Sequence, residues 1–345
     1  MKTTTSQSLL LLLLLLLFFP FLVPAKFVIE PCDSSNSCQS LLSYRLPFDS
    51  KLSEIASRFQ TDVTQILESN GFDPTDPLPG NQILSENTVV RVPIWCPCVD
   101  GIRRSVSTVY TVEAIDTVDY IAVGYGGLVS ADQIREANKI SDWDRIYLGQ
   151  RLVIPLPCFC FNGSDNGLPV VYMSYVVKQG ESLKSIGRNH GTTVTDLVAV
   201  NGLGSALVNT GDVLAIPIPA CSSAYLNLNH GNFIVPNASY ALTAYDCVQC
   251  TCGPKDLILR CFPSPFATNC NRFKCRGTNL YIGEAYEERT MSGCNVMKCL
   301  YRGYHGHKIL SSLSYSTKFR CSGNRNRSTL QSTALPEDTV LGTKS

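Results

Sequence analysis

The residues of this chain with the widest chemical range are its sixteen cysteines, a pair of neighbouring histidines and a tryptophan set between two aspartates. Cys247-x-x-Cys250-x-Cys252, with His305-Gly-His307 downstream, has the spacing of a zinc site closed by thiolates and imidazoles. Asp246, Asp256, Glu284, Glu287 and Glu288 are carboxylates of the kind that hydrolyse a glycosidic bond when two of them flank it. Glu287 and Glu288 are adjacent, however, and read as a solvated charge pair. Neither a GxSxG nor an HExxH element is present, so the chemistry expected is recognition without bond cleavage, with no cofactor and no metal. Trp143, between Asp142 and Asp144 in an expected turn, is hard to bury and offers an aromatic face to a sugar ring.

The compartment decides how the cysteines are read. Residues 1–25 have the pattern of a secretory signal: Lys2, an apolar run from Leu9 to Phe19, and Val23-Pro24-Ala25 for cleavage. Pro20 and Pro24 follow that run too closely for a comfortable membrane span. In an oxidising compartment an even set of thiols is a disulfide framework, and here six lie up to Cys160 and ten from Cys221 to Cys321. Zinc is therefore the weaker reading, and the two histidines are expected in solvated loops. Sequons at Asn162, Asn237 and Asn326 agree with secretion. A net charge of +1 lacks the basic footprint of a nucleic-acid partner.

The elements that position these residues repeat. Tyr44, Tyr110 and Tyr175 open three units with a period of about 65 residues. Six positions on stand Ser50, Asp116 and Glu181; then come Leu52, Ile55, Ala56, their counterparts Val118, Ile121, Ala122, and Leu183, Ile186, Gly187. That i, i+3, i+4 stripe is a short helix, and the pairs Asp116-Thr117 and Glu181-Ser182 suit its N-terminus. A second stripe follows (Val63, Ile66, Leu67; Ala131, Ile134; Val194, Leu197, Val198), then an asparagine (Asn70, Asn138, Asn201) and a strand ending at Pro93, Pro155 or Pro217. Each unit is strand–helix–helix–strand, buries little surface and is marginal alone. Cys96-Pro-Cys98 and Cys158-Phe-Cys160 cannot bridge internally without strain, so with Cys32 and Cys38 they should tie the units into one block.

The fold class expected is α+β: three tandem βααβ modules cross-braced by disulfides, then a small disulfide-rich, mostly β domain. The boundaries read as 1–25 signal, 26–105 N-terminal cysteine segment and module 1, 106–160 module 2, 161–220 module 3, 221–322 cysteine-rich domain and 323–345 disordered tail. In the cysteine-rich domain the pairing of the ten cysteines stays open, and strands are expected at Asp256 to Arg260 and Lys308 to Tyr315.

The pattern Y-x-V-x-x-x-[DE]-[ST]-[LV]-x-x-I-[AG], then N, then [LVI]-x-[IV]-P, resembles the lysin motif (LysM), a βααβ module that binds N-acetylglucosamine polymers. With CVDGIRRS from Cys98, YGGLVSADQI from Tyr125, CFNGSDNGLP from Cys160 and NASYALTAYDCVQCTC from Asn237, the chain resembles the plant LysM-domain GPI-anchored receptor-like proteins that sense peptidoglycan, some of which also bind chitin. The resemblance implies bridges Cys32–Cys98, Cys38–Cys160 and Cys96–Cys158. It places a glycan groove on two loops of module 2: Ala114, Ile115, Asp116, Thr117, Val118, Asp119 and Tyr120, facing Asp142, Trp143, Asp144, Arg145, Ile146, Tyr147 and Leu148.

Within those loops Ala114, Ile115, Trp143, Ile146 and Tyr147 are candidates for apolar sugar contact, with Asp116 and Thr117 fixing loop shape. Ile146 and Leu148 fit equally well into the core beneath the closing strand. Module 3 offers a second groove at Gln179, Gly180, Glu181 and Ser182, while module 1, with Pro47-Phe48-Asp49 in that loop, reads as structural. The resemblance implies peptidoglycan or chitin oligomers as ligands, a LysM receptor kinase as signalling partner and a ligand-bridged homo-oligomer. Surface display through a lipid anchor is its implied location. Lys344-Ser345 ends the sequence without an apolar tail, which makes the apoplast the alternative and a glycan-sequestering decoy the alternative role.

Overall fold

The computed structural model describes residues 30–33, 37–103, 105–141, 145–223, 233–254, 256–267, 270 and 273–321. The expected signal, the expected tail, Asn326, Asp142, Trp143 and Asp144 lie outside the described residues, as does the side chain of Asn162.

The architecture is α+β. Module 1 runs β1 (Cys38–Arg45), α1 (Leu52–Phe59), α2 (Val63–Asn70) and β2 (Val89–Cys96). Module 2 runs β3 (Ser105–Thr111), α3 (Val118–Gly124), α4 (Ala131–Asn138) and β4 (Arg151–Pro157). Module 3 runs β5 (Leu168–Val176), α5 (Leu183–His190), α6 (Val194–Val200) and β6 (Val213–Ser223). Each strand pair is antiparallel, as a βααβ chain returning on itself requires.

The modules are not beads. Strand β5 of module 3 lies parallel to β1 of module 1, Met173 opposite Leu41, so the first and third modules share one sheet across the second. Alternation along β1 then serves two cores. Leu42 and Tyr44 face a core common to modules 1 and 2, with Ile55, Phe59, Ile121, Tyr125 and Ile134. Leu41 faces the core of module 3, with Tyr175, Leu183, Ile186 and Ile216.

Cys32–Cys98, Cys38–Cys160 and Cys96–Cys158 are bonded and staple this block. A buried Arg103–Glu30 ion pair lies beside them; the same carboxylate accepts the N–H groups of Cys160 and Phe161.

The asparagine of each repeat has one structural task. Asn70, Asn138 and Asn201 each donate to a carbonyl in their own helix and close a two-way bond with the return strand. Their partners there are Arg91, Val153 and Ala215. Three bonds from one amide fix the last helical turn against the sheet.

The remainder is β: β7 (Phe233–Pro236) extends the large sheet from β6. Strands β8 (Tyr240–Thr243), β9 (Val248–Cys252) and β10 (Leu259–Pro263) form a second sheet. A third holds β11 (Ala285–Thr290), β12 (Gly293–His305) and β13 (Lys308–Lys318). The strand expected at Asp256 starts instead at Leu259, because Asp256 turns to pair with Arg260. The cysteine pairs are Cys221–Cys252, Cys247–Cys270, Cys250–Cys261, Cys275–Cys299 and Cys294–Cys321. Cys247, Cys250 and Cys252 are thus each bonded to a different partner.

Candidate functional site

In each module two loops meet at one end of the strand pair, one after the opening strand and one before the closing strand. Modules 2 and 3 build this end alike. Val112 exchanges backbone bonds with Gly149 and Gln150, and Val177 does the same with Gly211 and Asp212, so the loops join at their base. Above that base the repeat's carboxylate shapes the first loop. Asp116 accepts from the Tyr110 hydroxyl at 2.9 Å and the Glu113 N–H at 2.7 Å. Glu181 accepts from the Tyr175 hydroxyl at 2.8 Å and the Lys178 N–H at 2.9 Å. Burial, then the facing carboxylate, raises both phenol pKa values, so the hydroxyls remain donors.

Helix capping falls to the next residue. Thr117 accepts from the Tyr120 N–H and Ser182 from the Ser185 N–H. The carboxylate expected at the helix N-terminus therefore turns back to the loop.

The tip of that loop differs. Gly180 has φ +80° and open space around it. Ile115, at the same repeat position, holds φ 70° with its side chain 97% exposed. A β-branched residue in left-handed backbone costs of order 1–3 kcal/mol, and here no packing offsets it. On the second loop Tyr147 and Leu148 are 70% and 75% exposed. Ala114 and Arg145 are exposed beside them.

Some loop residues face elsewhere. Val118 is buried, because it begins the apolar stripe of α3, so its side chain is not on the cleft surface. Ile146 is half-buried against the common core, whereas Leu148 is not in it. Asp119 pairs with Arg135 at 2.9 Å, and Tyr120 is exposed on α3. In module 3 Gln179, Gly180 and Ser182 are exposed and Glu181 is half-buried under its loop.

Module 1 is closed. Ser50 and Lys51 pair with Leu84 and Ile83 in a short antiparallel ladder between the two loops. Asp49 accepts the Glu86 N–H at 2.7 Å across the same gap, and the Leu52 N–H reaches the Gln82 carbonyl at 3.0 Å. Tyr44 has no carboxylate at its repeat position and donates to the Gly124 carbonyl of module 2 at 2.9 Å. Among the described residues no such ladder joins the loops of modules 2 and 3. Sequence reading had no signal for this zipper beyond the replacement of the loop's glycine and acid by Asp49 and Ser50.

Three of the five carboxylates of the cysteine-rich domain take part in structural contacts. Asp256 pairs with Arg260, Glu287 with Lys318 at 2.8 Å, and Glu284 accepts the Tyr281 N–H. Glu287 and Glu288, consecutive on β11, point to opposite faces of their sheet.

Comparison with known proteins gives the following. The LysM domain model matches residues 51–85, 110–155 and 175–217. LysM domain-containing GPI-anchored protein 1 of Arabidopsis thaliana is 46% identical over 322 residues, 93% of this chain and 77% of that protein. LysM domain-containing GPI-anchored protein LYP6 of Oryza sativa subsp. japonica is 43% identical, covering 90% and 77%. Chitin elicitor-binding protein of the same rice is 28% identical, covering 80% and 77%.

Proposed function

This chain belongs to the plant LysM domain-containing GPI-anchored proteins, and we propose that its module 2 cleft holds N-acetylglucosamine-containing polymers, chitin or peptidoglycan, as a non-catalytic receptor. The observation that carries this is the contrast among three clefts on one frame. Module 1 is zipped shut, module 3 presents a bare glycine, and module 2 is open above its base with Ile115, Tyr147 and Leu148 exposed on its rim. Backbone N–H and C=O groups of the two loops bind the acetamide, while those three side chains lie against its methyl and the sugar faces. Gln179, Gly180, Glu181 and Ser182 form a secondary site with less apolar contact.

Strain at Ile115 supports the assignment, since a sequence optimised for stability alone would place glycine there. Trp143 completes the second loop in this reading. A single shallow cleft holds short oligomers weakly, and long polymers gain affinity by bridging several copies of the protein. Among the described residues no helix is long and apolar enough to cross a membrane. The signal passes to a LysM receptor kinase that grips the same polymer, a reading supported by the likeness to LysM receptor-like proteins, and the protein is displayed at the cell surface or in the apoplast. A sequestering decoy, which binds and passes nothing on, is the second reading.

Retention on insoluble chitin and peptidoglycan, with competition by graded oligomers, tests the function. Competition should drop sharply below about five sugars if avidity operates. Equal competition by a disaccharide and a long polymer contradicts the bridging, and release of soluble fragments by the pure protein contradicts the non-catalytic role.

A further inference from the structure

The cysteine-rich domain carries an exposed feature with no part in the module grooves. Across the β11–β12–β13 sheet, Tyr286 lies opposite Met297, and Met297 opposite Tyr315. In the next row on the same face stand Glu288, Asn295 and Thr317, also directly opposite one another. The two rows line a shallow groove of about 480 Å³. Tyr286 is 54% exposed and Tyr315 73% exposed, although both are large, partly apolar side chains on a regular sheet. The register sets the two tyrosines on either side of Met297 in one row.

We propose that this face is a second glycan platform, which takes an extended, neutral β-1,4-linked polysaccharide running across the strands. Three properties select that occupant. The tyrosines stand on the outer strands of a three-stranded sheet, two inter-strand steps apart, about 10 Å. That is the advance of two rings in an extended β-1,4-linked chain, so alternate sugars meet a ring each.

The neighbouring row supplies a carboxylate, an amide and a hydroxyl, the donors and acceptors that sugar hydroxyls need, beside the aromatic faces that take their C–H surface.

Charge then separates neutral from acidic polymers. Residues 221–321 contain eleven Lys and Arg against five Asp and Glu, yet none of the cations lies in either row. By strand alternation Arg289, Lys298 and Lys318 fall on the opposite face. Among the described residues that line the groove, the one charged group is the Glu288 carboxylate, which repels a polyanion and accepts from hydroxyls.

The platform is independent of the module 2 cleft and does not need an N-acetyl group. A receptor so equipped is held in a wall by a structural polysaccharide while its modules sample aminosugar fragments.

The test uses the secreted full chain in two assays. One measures retention on insoluble cellulose and affinity for cellohexaose and mannohexaose; the other measures affinity for a chitin hexamer. Tyr286→Ala and Tyr315→Ala should each weaken binding of the neutral hexaoses roughly tenfold. Affinity for the chitin hexamer, which the module 2 cleft dominates, should fall far less than that for cellohexaose and mannohexaose in both variants, and its retention also reports that they fold. Tyr286→Phe, which keeps the ring, should bind like wild type. The proposal is overturned if the wild-type chain binds none of these neutral glycans, or if the alanine variants bind them unchanged. It is equally overturned if the alanine variants only convert a dimer into a monomer, since the face is then an interface between copies.

Discussion

Modules 1 and 2 are built on the same strand–helix–helix–strand frame, share one core, and differ in what closes their loop end. In module 1 the two loops are zipped by a ladder and by the Asp49–Glu86 bond, and the repeat's tyrosine is lent to its neighbour. In module 2 the tyrosine stays with its own Asp116, and among the described residues no ladder joins the loops above Val112. The scaffold thus fixes where a cleft can be, while five or six loop residues decide whether it is open. Giving up a cleft frees hydrogen-bonding groups for assembly, and module 1 uses them to hold module 2.

That contrast can be broken most severely at Gly126, which follows α3 and rests on module 1. A Cβ there would lie 2.4 Å from the Arg45 carbonyl oxygen and 3.1 Å from the Tyr44 ring, on backbone with φ +64°. Gly126→Ala should cost about 3 kcal/mol or more in chemical denaturation. Gly180→Ala, with φ +80° and nothing within 4 Å, should cost only about 1 kcal/mol. Equal losses would mean that the module 1–module 2 contact contributes little.

Next in size are the strand-clamping asparagines. Asn201 is buried and Asn138 half-buried, so Asn201→Ala should cost about 2–3 kcal/mol and Asn138→Ala about half of that. A smaller effect separates the zipped from the open cleft. Asp49→Ala should cost about 1 kcal/mol and leave glycan affinity alone, whereas Asp116→Ala should lower both stability and affinity. Calorimetric titration of the two variants with one oligomer measures the difference.

The smallest effects are electrostatic and run in opposite directions. Burial, with the Arg91 charge adding to it, lowers the pKa of His190 in module 3 from its ordinary 6.5. Stability from the neutral imidazole is therefore present above 6.5 and lost as pH falls through the lowered value. Burial raises the pKa of Glu68 on α2, which accepts the Leu242 N–H of the cysteine-rich domain, from its ordinary 4.5. Its contribution is full below 4.5 and lost as pH rises through the raised value. Mild acid should thus weaken module 3 and tighten the docking of the cysteine-rich domain on module 1. His190→Phe should abolish the first trend and Glu68→Gln the second, read by thermal unfolding across pH.

Much of this frame is legible in the sequence because its signals are local. The stripes at Leu52, Ile55, Ala56 and their counterparts lie within one helical turn, and Thr117 and Ser182 cap the helices that they precede. The asparagines are visible as a repeat, but their partners are strand residues such as Arg91 and Ala215, which no local pattern reveals. The parallel pairing of β1 with β5 is hidden for the same reason: it joins Leu41 to Met173 across an entire module. The turn closed by Asp116 is legible by its match to a motif, but the positive φ of Ile115 is not, since only glycine or asparagine announces that conformation.

The most direct test of the open cleft is calorimetric titration of a chitin hexamer into the secreted chain, comparing Tyr147→Ala/Leu148→Ser with Gly180→Trp. The account predicts that affinity falls at least tenfold in the module 2 variant and stays near wild type in Gly180→Trp. Retention of full affinity by the first, with loss in the second, would move the site to module 3 and contradict it.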